Sequence, residues 1–158
     1  MTNQTPDDTL EFLPDDDMTA STPVTDDPRT EARLCAIQAV YTQRLAPDAH
    51  LAFTDSLLQA RGADLNLYQT LTDYYLAHTE RLEIFVGRFI NEKWTFARLE
   101  AGLQALLLVA AAEMFSRPDQ SVGTLTSEYV VLGKVLVSAS DVPFINAAVE
   151  KMFAASRL

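Results

Sequence analysis

The stretch AGLQALLLVAAAEMF, residues 101–115, limits the choice of fold more than any other part of the chain. It is apolar almost all round, interrupted only by Gln104 and Glu113. A bilayer span needs about 20 consecutive apolar residues, so this run is too short to cross a membrane. It is also too apolar to lie on a surface, and a helix of this character belongs at the centre of a bundle with other helices around it. The expected span is Thr95 to Phe115, with Pro118 closing the loop behind it.

The flanking segments carry the patterns such a bundle requires. Leu34, Ile37, Tyr41 and Leu45 recur at spacings of three and four, which predicts a first helix after Pro28 that ends near Ala46-Pro47. A second helix is expected from Pro47-Asp48 to Ala60, with Leu51, Leu57 and Leu58 inward and Arg61-Gly62 as its stop. A third runs from about Leu65 to Ile90, its apolar side marked by Leu67, Leu71, Tyr74, Tyr75, Leu82, Phe85, Val86 and Phe89. Between Ser121 and Ala139 the β-branched content fits a strand, but Leu125, Tyr129, Leu132 and Leu136 keep helical spacing, and the spacing decides for a helix. The last helix is capped by Ser140 or Asp141, admits Pro143 in its first turn, and turns Phe144, Ile145, Ala148, Val149, Met152 and Phe153 to one face. The sum is one all-α domain of five to seven helices, a size that 158 residues can fill with a single core.

The formal charge of −10 argues against nucleic acid only until it is located. Eight of the 22 carboxylates lie in residues 1–28, which hold no Lys or Arg, leaving 14 acidic against 12 basic side chains in the remainder. Those 28 residues also contain four prolines and few large apolar groups, the composition of a disordered acidic tail. Within the tail, TLEFLPDDDM sets Leu10, Phe12, Leu13 and Met18 among acids, which suits either a solubilising segment or a short docking motif for a basic surface. On a helical wheel of about 100° per residue, Arg29, Arg33 and Arg44 share a narrow sector of the first helix and predict a basic edge.

Enzymatic chemistry leaves little trace. There is no glycine-rich phosphate loop, and the single cysteine, Cys35, excludes an intrachain disulfide and fits a reduced cytoplasm. His50 and His78 stand far apart, without the spacing of a metal site. His50, between Asp48 and Asp55, reads as an ordinary surface residue, and Cys35 as a small packed one. The acidic first residues indicate no secretory signal. Trp94 is placed either to anchor the central helix or to join a binding face. The expectation is therefore no enzyme, no cofactor and no metal, but a helical module that works by binding.

The order of several segments adds to this reading. CAIQAVYTQ, Leu67-Tyr68, W-x3-RL at Trp94 to Leu99, A-E-M-F-x-R-P-D at 112–119, SEYVVLGK at 127–134 and PFINAAVEK at 143–151 resemble the NusB transcription antitermination family, in one order from about Arg29 to Lys151. The first-helix pattern A-R-x-x-A-[VI]-Q-A-[LV]-Y is matched by Ala32, Arg33, Ala36, Ile37, Gln38, Ala39, Val40 and Tyr41, and Phe144, Ile145 and Asn146 stand where members have F-V-N. The resemblance implies an all-α, NusB-like bundle of about six to seven helices in two packed subdomains, over residues 29–158. It also implies a cytoplasmic factor that binds the boxA element of ribosomal RNA leader transcripts with ribosomal protein S10, in an antitermination complex with RNA polymerase, and some members pair as homodimers. Carried onto this sequence, the RNA face comprises Arg29, Arg33, Phe144 and Asn146, with Phe144 and Asn146 bordering one surface.

The sequence departs from the family at recognition positions more than at packing positions. Thr30 and Glu31 stand where members carry arginines, Leu108 replaces an arginine of the central helix, Ala147 replaces a glycine, and Pro143 replaces a polar residue. Fewer phosphate contacts imply weaker and less salt-dependent RNA binding. The alternative is a NusB-like protein-interaction adaptor that no longer binds RNA by itself.

Overall fold

The computed structural model describes residues 24–48, 53–90 and 96–158. The tail through residue 23, together with His50, Leu51, Lys93 and Trp94, lies outside the described residues. Among the described residues there are six α-helices: α1 Pro28–Leu45, α2 Asp55–Ala60, α3 Leu65–Gly87, α4 Ala101–Ser116, α5 Val122–Leu136 and α6 Val142–Ser156. Two 3-10 turns, Phe96–Arg98 and Ala139–Asp141, precede α4 and α6. No described strand interrupts them, and none of the described helices is long and apolar enough to cross a membrane.

Helix α4 is the centre that its composition predicts. From Leu103 to Met114 every residue except Gln104 is buried, with α1 and α3 packed on one side and α5 and α6 on the other. Each fully buried leucine contributes roughly 1.5–3 kcal/mol. The first three and last three helices correspond to the two expected subdomains, and their apolar side chains merge through α4 into one continuous core.

Helix α1 begins one residue earlier than expected, at Pro28. The Asp27 carboxylate accepts the backbone N–H of Arg29 at 2.8 Å and of Thr30 at 3.3 Å, and proline in the first turn gives up no helical hydrogen bond. Its inward face also differs from the expectation. Tyr41 and Leu45 are 40% and 61% exposed, while Ala36, Ala39 and Val40 are fully buried, because small side chains let α1 approach α4 closely.

Thr54 opens α2 by accepting the Leu57 N–H, so the helix starts at Asp55 rather than at Pro47-Asp48. Gly62 closes this turn at φ +70°, a conformation that disfavours any side chain, as the Arg61-Gly62 stop signal predicts. Asp64 caps α3, which ends at Gly87, short of the expected Ile90. The backbone at His78 leaves helical geometry (φ −132°, ψ 26°), next to Thr79, whose hydroxyl donates to the Tyr75 carbonyl at 2.7 Å. Such back-bonding by threonine bends helices.

Ser121 caps α5, which is helical as the spacing of Leu125, Tyr129 and Leu132 requires; all three are buried despite the β-branched residues around them. At α6, Asp141 occupies the cap position without making the expected side-chain cap bond, since the chain arrives there through a 3-10 turn. Gly133 of α5 sits where a Cβ would overlap Cδ1 of Ile145, the end of a buried side chain that would have to turn aside.

Candidate nucleic-acid interface

The expected basic edge of α1 is mostly turned inward. Arg33 is 2% exposed, and its Nε and Nη2 donate to the two carboxylate oxygens of Glu113, each at 2.8 Å. Its Nη1 donates to Glu128 Oε1 at 2.6 Å, and that same oxygen accepts the Thr30 hydroxyl at 2.7 Å. Glu113 also accepts the Tyr129 hydroxyl at 2.7 Å and pairs with Arg117 one turn along α4. Burial alone would push the Glu113 carboxyl up, but hydrogen bonds and charge from Arg33, with Tyr129 and Arg117, hold it below the usual carboxylate range. Burial and the adjacent Glu113 charge push the Tyr129 hydroxyl well up. In this position Arg33 offers no surface to a phosphate, and the phosphate contact expected of it gives way to a role in joining α1, α4 and α5.

Arg44 is committed as well. It donates to Glu83 at 3.0 Å and Gln104 at 3.1 Å, and lies 5.4 Å from the centre of the Phe96 ring. Arg29 alone of the three remains exposed, at the start of α1. Glu31, which stands where the family carries an arginine, adds no negative charge to the surface: it is fully buried. Its Oε2 accepts Arg61 Nε at 2.7 Å, and its Oε1 accepts the backbone N–H groups of Val24 and Thr25 at 3.0 and 2.9 Å. Cys35 packs beside this pair, and burial pushes its thiol up to about 11.

Phe144 and Asn146 do not share a surface, contrary to expectation. Two helical residues apart means about 200° of rotation, which turns them to opposite sides of α6. Asn146 is exposed, donates to Glu150 at 3.2 Å, and opens on a depression with Gly123, Thr126 and Ser127 of α5. Phe144 is half-buried in a groove of about 420 Å³ between the end of α3 and α6. There it meets Phe89, Ile90 and two exposed cations, Arg88 and Lys151, and no carboxylate lines the groove among the described residues, although Phe144 and Ile90 also border a neighbouring depression with Glu100 and Asp141.

Arg88 and Lys151 were missed by sequence reasoning, although Lys151 was detectable: it follows Phe144 by seven residues, two turns along the same face. Arg88 carried no such signal, because its place depends on where α3 ends. A second groove adjoins it, without a carboxylate among its described lining residues and with Arg88 on both rims, lined also by Tyr74, His78, Arg81, Phe85 and Phe115. Among the described residues no group of three His, Cys, Asp or Glu side chains could hold a metal ion.

Comparison with known proteins adds an independent line. The NusB family model matches residues 30–153. The transcription antitermination protein NusB of Hyphomonas neptunium is 28% identical over 135 residues, covering 78% of this chain and 88% of its own. Its counterpart in Brucella ovis is 23% identical over 154 residues, with 90% of each chain covered. Among solved structures, NusB of T. maritima superposes with a TM-score of 0.66 at 18% identity, over 82% of this chain and 93% of that one.

Proposed function

Because the chain belongs to the NusB family, we propose that it acts in transcription antitermination by binding boxA-type RNA of ribosomal RNA leader transcripts together with ribosomal protein S10. The observation that carries the RNA half of this reading is the Phe144 groove. Single-stranded RNA is held by aromatic rings that stack on splayed bases and by cations that meet the backbone, and Phe144 and Phe89 with Arg88 and Lys151 supply both in one groove. Arg29, exposed at the start of α1, and Asn146, on the far side of α6, lie outside this groove and would extend the RNA contact beyond it. Arg33 acts through the frame, by fixing the start of α1 against Glu113 and Glu128.

The inward commitment of Arg33 and Arg44 favours a second reading, a helical protein-binding adaptor without autonomous RNA affinity. A gel-shift titration of the full chain with boxA RNA, with and without S10, separates the two. The proposed function expects a salt-sensitive shift that strengthens when S10 is added. The adaptor expects S10 to be captured after nuclease treatment, with no RNA shift in either lane.

A further inference from the structure

We propose that the groove between α3 and the end of α4 is the docking site for this chain's own acidic segment TLEFLPDDDM, residues 9–18. The groove, of about 300 Å³, is walled by Tyr74, Phe85 and Phe115 and presents Ile84, which is 57% exposed, beside Phe115 at 37%. Tyr74 lies near-parallel to Phe115, their ring centres 6.5 Å apart, and Phe85 meets the Phe115 edge at 4.9 Å, so the apolar floor is already formed. Arg81 and Arg88 stand exposed on its rim, and neither has an ion-pair partner among the described residues. Such a site fits a ligand with apolar side chains inside and carboxylates outside.

The segment has that chemistry: Leu10, Phe12 and Leu13, with Glu11 among them, lie between Asp7 and Asp8 on one side and Asp15, Asp16 and Asp17 on the other. Ile84, aliphatic and 57% exposed, adds to this wall an apolar surface that a leucine or phenylalanine side chain would cover. Reach also permits the chain's own segment. Val24 is held at the start of α1 by Glu31, and α1 and α3 run side by side in the same direction, joined by Asp64 N to Pro28 O at one end and Arg44 to Glu83 near the other. Along α3, Arg81 is about 26 Å from Asp64. The chain from Val24 back to Leu13 spans up to about 36 Å when extended.

Arg88 belongs to both grooves, so the docked segment neutralises a cation at the edge of the Phe144 groove. That consequence rests on the RNA reading; the docking does not.

The test uses the full chain with Cys35→Ala and Thr9→Cys, carrying a nitroxide at position 9, and measures paramagnetic broadening of backbone amides. Docking is expected to broaden Ile84, Phe85 and Phe115, independently of protein concentration. The broadening should disappear when Arg81→Glu and Arg88→Glu are added, and weaken at 1 M salt, where the screening length falls to about 3 Å. Retention of the folded amide pattern in each variant keeps the comparison valid, and Arg81→Gln with Arg88→Gln, a milder change, should reduce the broadening without abolishing the fold. The inference is overturned if these amides stay sharp, if broadening centres elsewhere, or if it scales with protein concentration, which would mean a second copy supplies the segment.

Discussion

Arg33 and Glu113 meet as a two-pronged fork inside the protein, Nε to Oε1 and Nη2 to Oε2, both at 2.8 Å, with neither side chain more than 3% exposed. The arginine that most resembles a family recognition residue is thus the bolt between the first helix and the central one. Removing one partner of a buried pair costs about 3–5 kcal/mol where it leaves the other charge uncompensated. After Arg33→Met the Glu113 carboxylate keeps Arg117 and the Tyr129 hydroxyl, so stability in urea unfolding is expected to fall by an amount at or below the low end of that range. Arg33→Met combined with Glu113→Gln should recover part of the loss, because the under-compensated carboxylate is gone.

The same fork sets an acid limit. The Glu113 carboxyl is held below its unfolded value, so its stabilising contribution is complete above about pH 4.3, the ordinary value of a glutamate, and is lost as pH falls through the depressed folded value. Chemical denaturation between pH 6 and pH 3 should show stability falling at the acid end, as about pH 4 is passed. Glu113→Gln should be less stable at neutral pH and flatter across that acid range.

At the α5–α6 contact, Gly133→Ala places a methyl group against Ile145 Cδ1. Overpacking of this kind costs about 1–3 kcal/mol, from which the gain of about 0.8–1.0 kcal/mol for alanine over glycine inside a helix is subtracted, so the net loss is small. Thermal unfolding should show a lower midpoint for Gly133→Ala and recovery of part of it in Gly133→Ala with Ile145→Val, which withdraws the overlapping carbon.

Legibility in the sequence followed the range of the forces involved. Helix identity depends on local periodicity, and even the β-branched α5 was readable from the spacing of Leu125, Tyr129 and Leu132. Helix ends were less so, because Thr54, Asp64 and Asp141 are all plausible caps and only the first two make the bond. For the candidate site, the charge of Arg33 and Glu31 was visible, but their partners lie 80 and 30 residues away, and burial is decided by those partners. A wheel locates a residue on its own helix; it does not reveal that the neighbouring helix presents a carboxylate. Phe144 was found through its family motif, and Lys151 shares its face by simple helical spacing, whereas Arg88 came within reach only because the residues that follow α3 meet the first turns of α6.

Where the acidic segment and the RNA groove compete for Arg88, removal of the segment's charge should be felt in binding. Changing Asp15, Asp16 and Asp17 to Asn in the full chain is expected to tighten RNA binding more at low salt than at 0.15 M, where the screening length is about 8 Å. Fluorescence anisotropy with a labelled boxA RNA measures the difference at both salt concentrations.

The central claim, that RNA lies along the Phe144 groove, is tested most directly by the affinity of single-stranded boxA RNA for Phe144→Ala and Lys151→Ala, each titrated against salt with S10 present. Loss of a stacked base costs about 1–3 kcal/mol, so Phe144→Ala should weaken binding by roughly 5- to 150-fold with its salt slope unchanged. Lys151→Ala should lower the slope of log affinity against log salt by about 0.7, the value of one phosphate contact on a single strand. Unchanged affinity and slope in both variants, with boxA RNA still bound by the parent chain, would contradict the account.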